Sequence, residues 1–503
     1  MLTRRGFGLG LTSAAFGGFA LAGCSSLSSL PEYASRNPGF RTWRMTRFSG
    51  YGPLLPDRNR PRLLDLPAGF RYAIISHKGE DLGGGAVVPD NADGMGAFAL
   101  GSDLTILVRN HEVSAGDFGN GAYPAGDPGT LSQAWRPRSE TRLQPGGTTT
   151  IVYNHEEGRV LDQYLSLAGT VRNCAGGVTP WGSWLTCEEE KAQGSDHGWV
   201  FEVPALPRER FEREARAPQP LRGLGRFRHE AAAVDPRTGI VYLTEDDAGS
   251  LFYRFVPNRW GHLAEGGRLE ALGFDGVPES IDTSNWHAPR WAERVRRRVR
   301  WIPLDDLDIE NRDNGLRERA HRQGAARFAY GEGIFFGAGE LFFTCTSGGR
   351  IRSGQIMRYF PSVSEGAEGP GRPAGELEIF LESTDPTRLN FADNLVVAPN
   401  GHLIVCEDPY VGGERNYMLR EIAEKLGARS VAYVRGITPN GHVYDIARLN
   451  DWTELAGACF SADGGTMFLN IMEGARTVAI TGPWHERLTD PPAGARGIAP
   501  FRT

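Results

Sequence analysis

Short runs of hydrophobic residues recur along the chain from Leu64 onward, many of them alternating with polar residues, and turn-forming residues separate them. Residues 70–75 and 104–108 are two examples. Alternation with a period of two is typical of β-strands that are buried on one face. Helical periodicity is rare: residues 418–427 show it most clearly and residues 292–300 more weakly. The pattern therefore predicts an all-β fold with helical and loop insertions.

One strand–turn–strand pattern repeats with variations. Its copies are residues 233–246, 396–408 and 459–470, with a shorter copy at 438–444. Several of the turns contain Asn-Gly or Asp-Gly, which favour tight hairpins because they tolerate positive φ angles. Repeated hairpins of this kind predict a β-propeller, in which each hairpin is the inner part of a blade. An array of β-sandwiches is the alternative.

Length and composition fit a globular protein rich in turns. The chain has 503 residues, and its 66 glycines and 32 prolines suit many short connections between strands. Its net charge of -6 gives no electrostatic basis for binding nucleic acid, which calls for a basic surface. We expect a signal segment at residues 1–24, a tether and lead-in at 25–60, and a single propeller domain at 61–503, present as a monomer.

The first residues have the features of an export signal. Arg4 and Arg5 form a twin-arginine pair, and the hydrophobic run at residues 9–21 is too short to span a membrane. The sequence Leu-Ala-Gly-Cys that ends at Cys24 resembles a bacterial lipobox. We therefore expect twin-arginine export to the periplasm and a lipid anchor on Cys24, with ordinary signal cleavage and no lipid as the alternative.

Five cysteines remain after the signal segment: Cys174, Cys187, Cys345, Cys406 and Cys459. An odd number in an oxidising compartment leaves at least one thiol without a disulfide partner. Such a thiol is either buried and inert, which is the commoner case, or a metal ligand. Cys174 belongs to the segment with the densest set of candidate ligands, residues 172–190, which contains a glycine-rich turn and ends in three carboxylates.

Three predicted strands end in adjoining acids. These are Glu188 with Glu189, Glu245 with Asp246, and Glu407 with Asp408. In a propeller, equivalent strand ends converge at one mouth of the central channel, where gathered carboxylates repel one another. Bound cations relieve that repulsion, and oxygen ligands favour calcium or other hard ions. In the alternative, the acids lie in separate solvated loops.

Three further acids adjoin predicted strands or turns. Two His-Glu pairs end at Glu112 and Glu230, and Glu332 lies between two glycines. A single His-Glu pair is weak evidence, because such pairs are common on surfaces; two that both adjoin strands are more suggestive. Glycine allows close backbone approach, so Glu332 is either a carboxylate held against neighbouring backbone or part of an acidic turn.

Taken in order, these motifs resemble the signature of the PhoX family of bacterial alkaline phosphatases. The most specific stretch is residues 173–189, with Asn-Cys-Ala-Gly-Gly, Thr-Pro-Trp-Gly and Leu-Thr-Cys-Glu-Glu. Shorter matches lie at residues 110–112, 225–230, 242–246, 331–333, 354–356, 393–394, 406–408 and 481–484. The resemblance implies a six-bladed propeller, twin-arginine export, and a site with two Fe³⁺ and three Ca²⁺ ions around a bridging oxide.

The resemblance also implies roles for individual residues. Carried over position by position, Cys174, Glu230 and Glu332 correspond to iron ligands, Glu189, Glu245, Asp246, Glu407 and Asp408 are the candidates for calcium, and Asn110 corresponds to a phosphate-contacting asparagine. The implied reaction is hydrolysis of a small phosphomonoester, in which clustered cations neutralise the phosphoryl oxygens and a metal-bound oxygen attacks phosphorus.

The chain departs from the family at two phosphate contacts. The family places an arginine shortly before the glutamate that corresponds to Glu332. In this chain Tyr330 stands two residues before Glu332, and Arg327 is not in register. The family also has a late lysine in a binding loop, whereas Lys425 falls in a helix-like segment. The resemblance thus supports the metal ligands more strongly than the substrate.

Three functions compete on this basis. The first is an exported metal-dependent phosphatase acting on a small phosphorylated substrate. The second is a calcium-dependent propeller hydrolase of another ester or a lactone. The third is a non-catalytic lipoprotein whose metal ions only stabilise the channel. Substitution of Glu230 or Glu332 separates the first from the third, because only the first predicts turnover that the substitution removes.

Overall fold

In a computed structural model of the chain, the described residues are 48–59, 62–126, 128–129, 131–190, 196–307, 315–367, 369, 374–408 and 432–488. Regular structure among them is mostly β-strand, as the alternating pattern predicts. Cys24 with the rest of the signal segment, and Lys425 with the helical pattern around it, lie outside these residues. None of the helices in the described ranges is long and apolar enough to cross a membrane.

Five short strands precede the larger sheets. They are β1 (Leu54–Leu55), β2 (Leu64–Pro67), β3 (Arg71–Ser76), β4 (Asp81–Gly83) and β5 (Ala86–Val87). The first large sheet consists of β6 (Ala92–Leu100), β7 (Leu104–His111), β8 (Gly146–Asn154) and β9 (Arg159–Thr170). The second consists of β10 (Asn173–Val178), β11 (Ser183–Glu188) and β12 (Val200–Pro204). Both are antiparallel meanders, in which each strand pairs with the next one along the chain.

Four further antiparallel units complete the described strands. The third unit is β13 (His229–Val234), β14 (Val241–Glu245), β15 (Tyr253–Pro257), β16 (Gly267–Phe274) and β17 (Arg297–Pro303). The fourth is β18 (Gly331–Gly337), β19 (Glu340–Cys345), β20 (Gln355–Phe360) and β21 (Glu376–Glu382), and β21 also pairs with β17. The fifth is β22 (Ala392–Val397), β23 (Leu403–Glu407), β24 (Tyr433–Ile437) and β25 (Val443–Leu449). The sixth is β26 (Leu455–Phe460), β27 (Thr466–Ile471) and β28 (Arg476–Thr481). Two short helices, α1 (Arg208–Glu214) and α2 (Gly315–Arg322), lie in the connections.

The first strands of these units stand side by side around a central channel. β6 packs against β10, β10 against β13, β13 against β18, β18 against β22, β22 against β26, and β26 against β6. A closed ring of inner strands is the arrangement of a β-propeller, which confirms the fold predicted from the repeated hairpins. The hydrophobic core lies between neighbouring sheets: Leu185 of the second unit packs in one cluster with Val241 and Leu243 of the third.

Residues near both ends of the described chain complete the outer sheets. β3 pairs with β28 and adds the fourth strand of the sixth unit. β2 pairs with β25, and β1 with β2, so the fifth unit is also extended by early residues. The Tyr51 ring meets those of Phe70 and Trp484 edge-on, at centroid distances of 4.8 and 6.1 Å. The last part of the predicted lead-in is therefore packed onto the propeller.

The helical interpretation of residues 292–300 is wrong. Residues 297–303 form β17, in which Val299 and Ile302 are buried. An arginine of this strand stacks on an aromatic ring: the Arg297 guanidinium lies 5.1 Å from the centre of the Trp291 ring. Because an arginine can cover apolar surface with its stem and an aromatic ring with its head, its charge does not reveal whether the backbone is helical or extended.

Candidate metal centre

The inner strands begin with a pairing irregularity that repeats around the channel. In each of the first five units, the pairing of the inner strand with its neighbour shifts directly after the first residue. A β-bulge of this kind re-aims the side chain that occupies it. The residues in the first position of the shift are Asp93, Cys174, Glu230, Glu332 and Asp393. In the sixth unit the corresponding residue is Gly457.

These five side chains form one cluster, which we call the ligand ring. Candidate ligand atoms lie within 4.8 Å of one another in three overlapping groups: Asp93, Glu112 and Cys174; Cys174, Glu189 and Glu230; and Glu230, Glu332 and Asp393. Cys174 Sγ is 3.1 Å from Asp93 Oδ2 and 3.1 Å from Glu230 Oε1. The three groups share Cys174 and Glu230, so together they form one continuous set of candidate ligands.

A second tier of acids surrounds the ligand ring. Glu112, Glu189, Asp246 and Asp408 each follow directly after the second strand of a unit, and Glu454 directly precedes β26. The tiers interact: the Asp246 carboxyl group is hydrogen-bonded to Glu189 and Glu332, and that of Glu454 to Asp393. The site thus brings together nine carboxyl groups and one thiol.

Burial and mutual repulsion raise the pKa values of five of these acids: Asp93, Glu112, Glu230, Asp246 and Glu332. Desolvation is the larger cause for each, and neighbouring carboxylates add to it. The pKa is raised to about 8 for Glu112 and for Asp246, and well above the ordinary range for Asp93, Glu230 and Glu332. Burial also raises the pKa of the Cys174 thiol, and Asp93 and Glu230 raise it further. Such groups either stay protonated or bind cations.

The donor atoms fit bound metal ions. Asp93 Oδ1 is buried without a hydrogen-bond partner, and a cation would satisfy it. One thiolate beside several carboxylates suits a transition metal, whereas the all-oxygen part of the cluster suits calcium. The residues therefore fit the mixed iron and calcium set that the family resemblance implies.

The structure brings most of the predicted ligands together. Cys174, Glu230 and Glu332 all belong to the ligand ring. Glu189 contacts the ring directly, and Asp246 is hydrogen-bonded to Glu189 and Glu332. Asp408 is 8% exposed and close enough to Glu112 and Glu454 to raise the pKa of both.

Glu245 and Glu407 are placed differently. Glu245 Oε2 accepts hydrogen bonds from the Leu251 amide and the Tyr253 hydroxyl, each at 3.0 Å. Glu407 Oε1 accepts from the Asn390 amide and from Arg435 Nε, each at 2.9 Å. Both are the last residues of their strands, so their side chains point to the opposite side from the acid that follows. They hold loops of the propeller, whereas the next residue in each case reaches the cluster.

Asn110 also lies away from the open part of the site. Its side chain is fully buried, and Asn110 Nδ2 donates to the carbonyl oxygens of Cys174 and Ala175 at 3.0 and 2.8 Å. Asn110 Oδ1 accepts from Trp184 Nε1 at 2.9 Å. These bonds hold the bulged start of β10 that carries Cys174. We therefore expect Asn110 to position Cys174, and the phosphate contact implied by the resemblance stays a prediction.

Replacing Asn110 by aspartate tests this role. The carboxylate would face two carbonyl oxygens that now receive hydrogen bonds, so we expect a loss of about 2–4 kcal/mol in the free energy of unfolding. Denaturant titration measures that loss, and the KM for substrate should change less than metal content does. Asn154→Asp is the matched control, because Asn154 bonds within its own turn. An N110D variant with native stability and a raised KM would restore the phosphate-contact assignment.

Sequence reasoning missed Asp93, Asp393 and Glu454 as candidate ligands, and it singled out Glu112 without assigning that residue to a metal ion. A usable signal existed for the first: Asp93-Gly94 repeats the acid–glycine order of Glu332-Gly333. A Cβ atom on Gly94 would lie 2.5 Å from the Ala175 Cα atom, and one on Gly333 would lie 2.6 Å from Asn394 Cα. Glycine after the acid therefore lets neighbouring inner strands approach closely enough to gather the acids.

The channel behind the ligand ring is lined mainly by small and apolar side chains. A cavity of about 250 Å³ is lined by small residues that follow the ligands, including Gly94, Ala175, Ala231 and Gly333, and then by larger ones such as Phe336. Tyr330 lies on the other side of the ring, half-buried, with a left-handed φ of 58°. The more polar approach to the cluster is therefore the opening at the second-tier acids, which we call the acidic mouth.

Comparison with known proteins gives one family. The family described as "Alkaline phosphatase PhoX" matches residues 49–474. Pseudomonas fluorescens PhoX, in complex with vanadate, a transition state analogue, is similar in structure, with a TM-score of 0.61, 18% sequence identity, and coverage of 87% of this chain and 98% of that chain. No curated protein has a significantly similar sequence.

A weaker likeness joins the chain to a gluconolactonase, XC5397 from Xanthomonas campestris. It has a TM-score of 0.36 and 13% identity, over 86% of this chain and 98% of that one. The β-propeller domain of Cps50 (Swd1) from Myceliophteria thermophila has a TM-score of 0.37 and 10% identity, over 82% and 99%. Neither likeness is strong enough to bear on function.

Proposed function

The chain belongs to the alkaline phosphatase PhoX family, and on that premise we propose that it hydrolyses small phosphomonoesters at a cluster of Fe³⁺ and Ca²⁺ ions. The observation that carries the proposal is the Cys174 thiol, placed 3.1 Å from both Asp93 and Glu230 in a ring of buried acids. A phosphatase whose substrate is an anion cannot use such a cluster unless its negative charge is more than neutralised.

The iron would be held by Cys174, Glu230 and Glu332. The other two members of the ligand ring, Asp93 and Asp393, would lie beside it. Four acids of the second tier would hold calcium: Glu112, Glu189, Asp246 and Asp408. Bound cations would supply electrostatic stabilisation of the charge that develops on the phosphoryl oxygens.

The chain's own contribution is to orient and to exclude water. The bulged strand starts fix the ligand side chains, since each is held by backbone pairing on both sides of the bulge. Asn110 fixes the backbone of Cys174. The mainly apolar lining of the cavity behind the ring disfavours charged groups, so substrate approaches the cluster from the acidic mouth.

We further propose that the protein is exported through the twin-arginine pathway and works in the periplasm, free or anchored by lipid on Cys24. The arginine pair and the lipobox-like sequence support this. Mass spectrometry of the mature N-terminus from a membrane fraction tests it: a diacylglycerol mass on Cys24 is expected, and an unmodified N-terminus elsewhere would contradict the anchor.

The test of the reaction combines metal analysis with a three-substrate assay. Folded protein is purified, its iron and calcium are quantified, and it is assayed with a chromogenic phosphomonoester, a carboxylic ester and a lactone. We expect iron, calcium and turnover of the phosphomonoester alone. Protein without iron would refute the proposed cluster, and iron-containing protein that acts only on the ester or lactone would refute the proposed substrate class.

A further inference from the structure

Two arginines stand among the acids of the site. Arg172 and Arg228 are each two residues before a member of the ligand ring, Cys174 and Glu230 respectively. Their side chains are 30% and 36% exposed, so both reach the open mouth. The positions two residues before the other three ring members hold uncharged side chains: Asn91, Tyr330 and Phe391. Positive charge at these positions is thus confined to the second and third units.

Both arginines are directed at the same carboxylate. Arg172 Nη2 contacts Glu189 Oε2, and Arg228 Nη2 contacts Glu189 Oε1. Arg172 Nη2 also lies 2.6 Å from Glu112 Oε1, whereas the next acid near Arg228 is Asp246, at 3.8 Å. Arg172 is therefore held between two acids at close range, and Arg228 by one.

These contacts compete with metal binding. Glu189 and Asp246 are candidate calcium ligands, and a cation that takes their oxygens removes the partner of Arg228. The guanidinium is then left at the mouth without a close counter-charge, where it faces the side from which substrate arrives. A guanidinium is planar, remains charged, and can donate two parallel hydrogen bonds to phosphate oxygens.

We propose that Arg228, with Arg172 beside it, binds the phosphoryl group of the substrate and the inorganic phosphate released from it. The inference rests on the proposed function in two respects: cations occupy Glu189 and Asp246, and the ligand is a phosphate. Positive charge at the mouth would then come from the second and third units, whereas the fourth unit presents the uncharged Tyr330. The phosphoryl group then lies against the second and third units, and the leaving group extends toward the fourth.

Binding of orthophosphate to the metal-loaded protein tests the proposal. Isothermal titration calorimetry compares wild type with Arg228→Gln, Arg228→Lys and Arg237→Gln. Arg237 is the matched control, because it is an arginine paired with Asp235 in a turn of the same unit. We expect the R228Q variant to bind orthophosphate about 10- to 100-fold more weakly, the R228K variant to be intermediate, and the R237Q variant to match wild type.

Metal content of each variant is measured alongside. Wild-type affinity in a metal-loaded R228Q variant would overturn the proposal, and so would loss of metal from it, since Arg228 would then support the cations and not the phosphate. If the R228Q variant does not fold, wild-type affinity in the R228K variant at native metal content would overturn it as well, because lysine lacks the paired donors.

The binding assay is independent of turnover. Hydrolysis of a phosphomonoester combined with unchanged phosphate affinity in the R228Q variant would refute the role of Arg228 and leave the proposed function intact. Arg228-dependent phosphate binding without turnover would refute the proposed function and leave the anion site intact.

Discussion

Replacing Glu332 by glutamine is expected to lower kcat/KM for a phosphomonoester by at least about 100-fold, while stabilising the metal-free protein. Glutamine keeps the size of the side chain but cannot supply a charged oxygen to a cation. In the metal-free protein, however, the Glu332 carboxylate is costly. Burial, and then the charges of Glu230, Asp246 and Asp393, raise its pKa well above the usual range. Replacing this carboxylate removes repulsion among the buried carboxyl groups, which bound cations relieve in the metal-loaded protein.

Steady-state kinetics and thermal unfolding with and without chelator measure the two effects. Glu340→Gln is the matched control on the same hairpin: Glu340 pairs with Arg358 outside the ligand ring, and both properties should stay near those of wild type. Loss of activity together with loss of metal-free stability would show that Glu332 has a structural role. Unchanged activity would remove Glu332 from the set of metal ligands.

Chelation is expected to reverse the pH dependence of stability. In the metal-free protein the pKa values of Glu112 and Asp246 are raised to about 8, mainly by burial. A carboxyl group with a raised folded-state pKa binds more protons when folded than when unfolded. The free energy of unfolding therefore falls as pH rises from about 4.5, the ordinary glutamate value, to about 8. Metal-loaded protein should behave oppositely, because protons displace cations from carboxylates at low pH.

Thermal unfolding at pH 5.5, 7 and 8.5, with and without chelator, measures the two slopes. The chelated protein should unfold at the highest temperature at pH 5.5, and the metal-loaded protein at pH 7 or above. The Glu332→Gln variant serves as a control here, because its chelated form should show a shallower slope than wild type. A chelated wild type whose stability does not change with pH would mean that the pKa values of these carboxyl groups are not raised in the folded protein.

The fold could be predicted from the sequence because the sequence signals of a hairpin are local. A hairpin needs only alternation and a turn, and Asn400-Gly401 or Asp463-Gly464 supplies the turn within two residues. The arginine-rich stretch that becomes β17 was misread because its partner strand, β16, supplies the pairing from more than 20 residues away. Local composition cannot show such a partner.

Only part of the site could be predicted from the sequence. The acid-ended strands located the mouth, but strand alternation decides which of two neighbouring acids reaches it, and a bulge changes that alternation by one residue. Asp246 and Glu245 are adjacent, yet the first joins the cluster and the second binds Tyr253. Asp93 and Asp393 were missed because each lies inside a bulge that becomes visible only when the strand opposite is in place.

Pairing of β3 with β28 has a consequence for the order of assembly. Arg71 and Thr481 are paired although 410 residues separate them, so the sheet of the sixth unit is completed only after Thr481 has been synthesised. Loop closure over such a span is slow and entropically costly. Cations shared among strands that begin between residues 92 and 392 would act as a cross-link that spans most of this long loop. We therefore expect metal loading to have a larger effect on the unfolding rate of the whole propeller than on the equilibrium stability of any single blade.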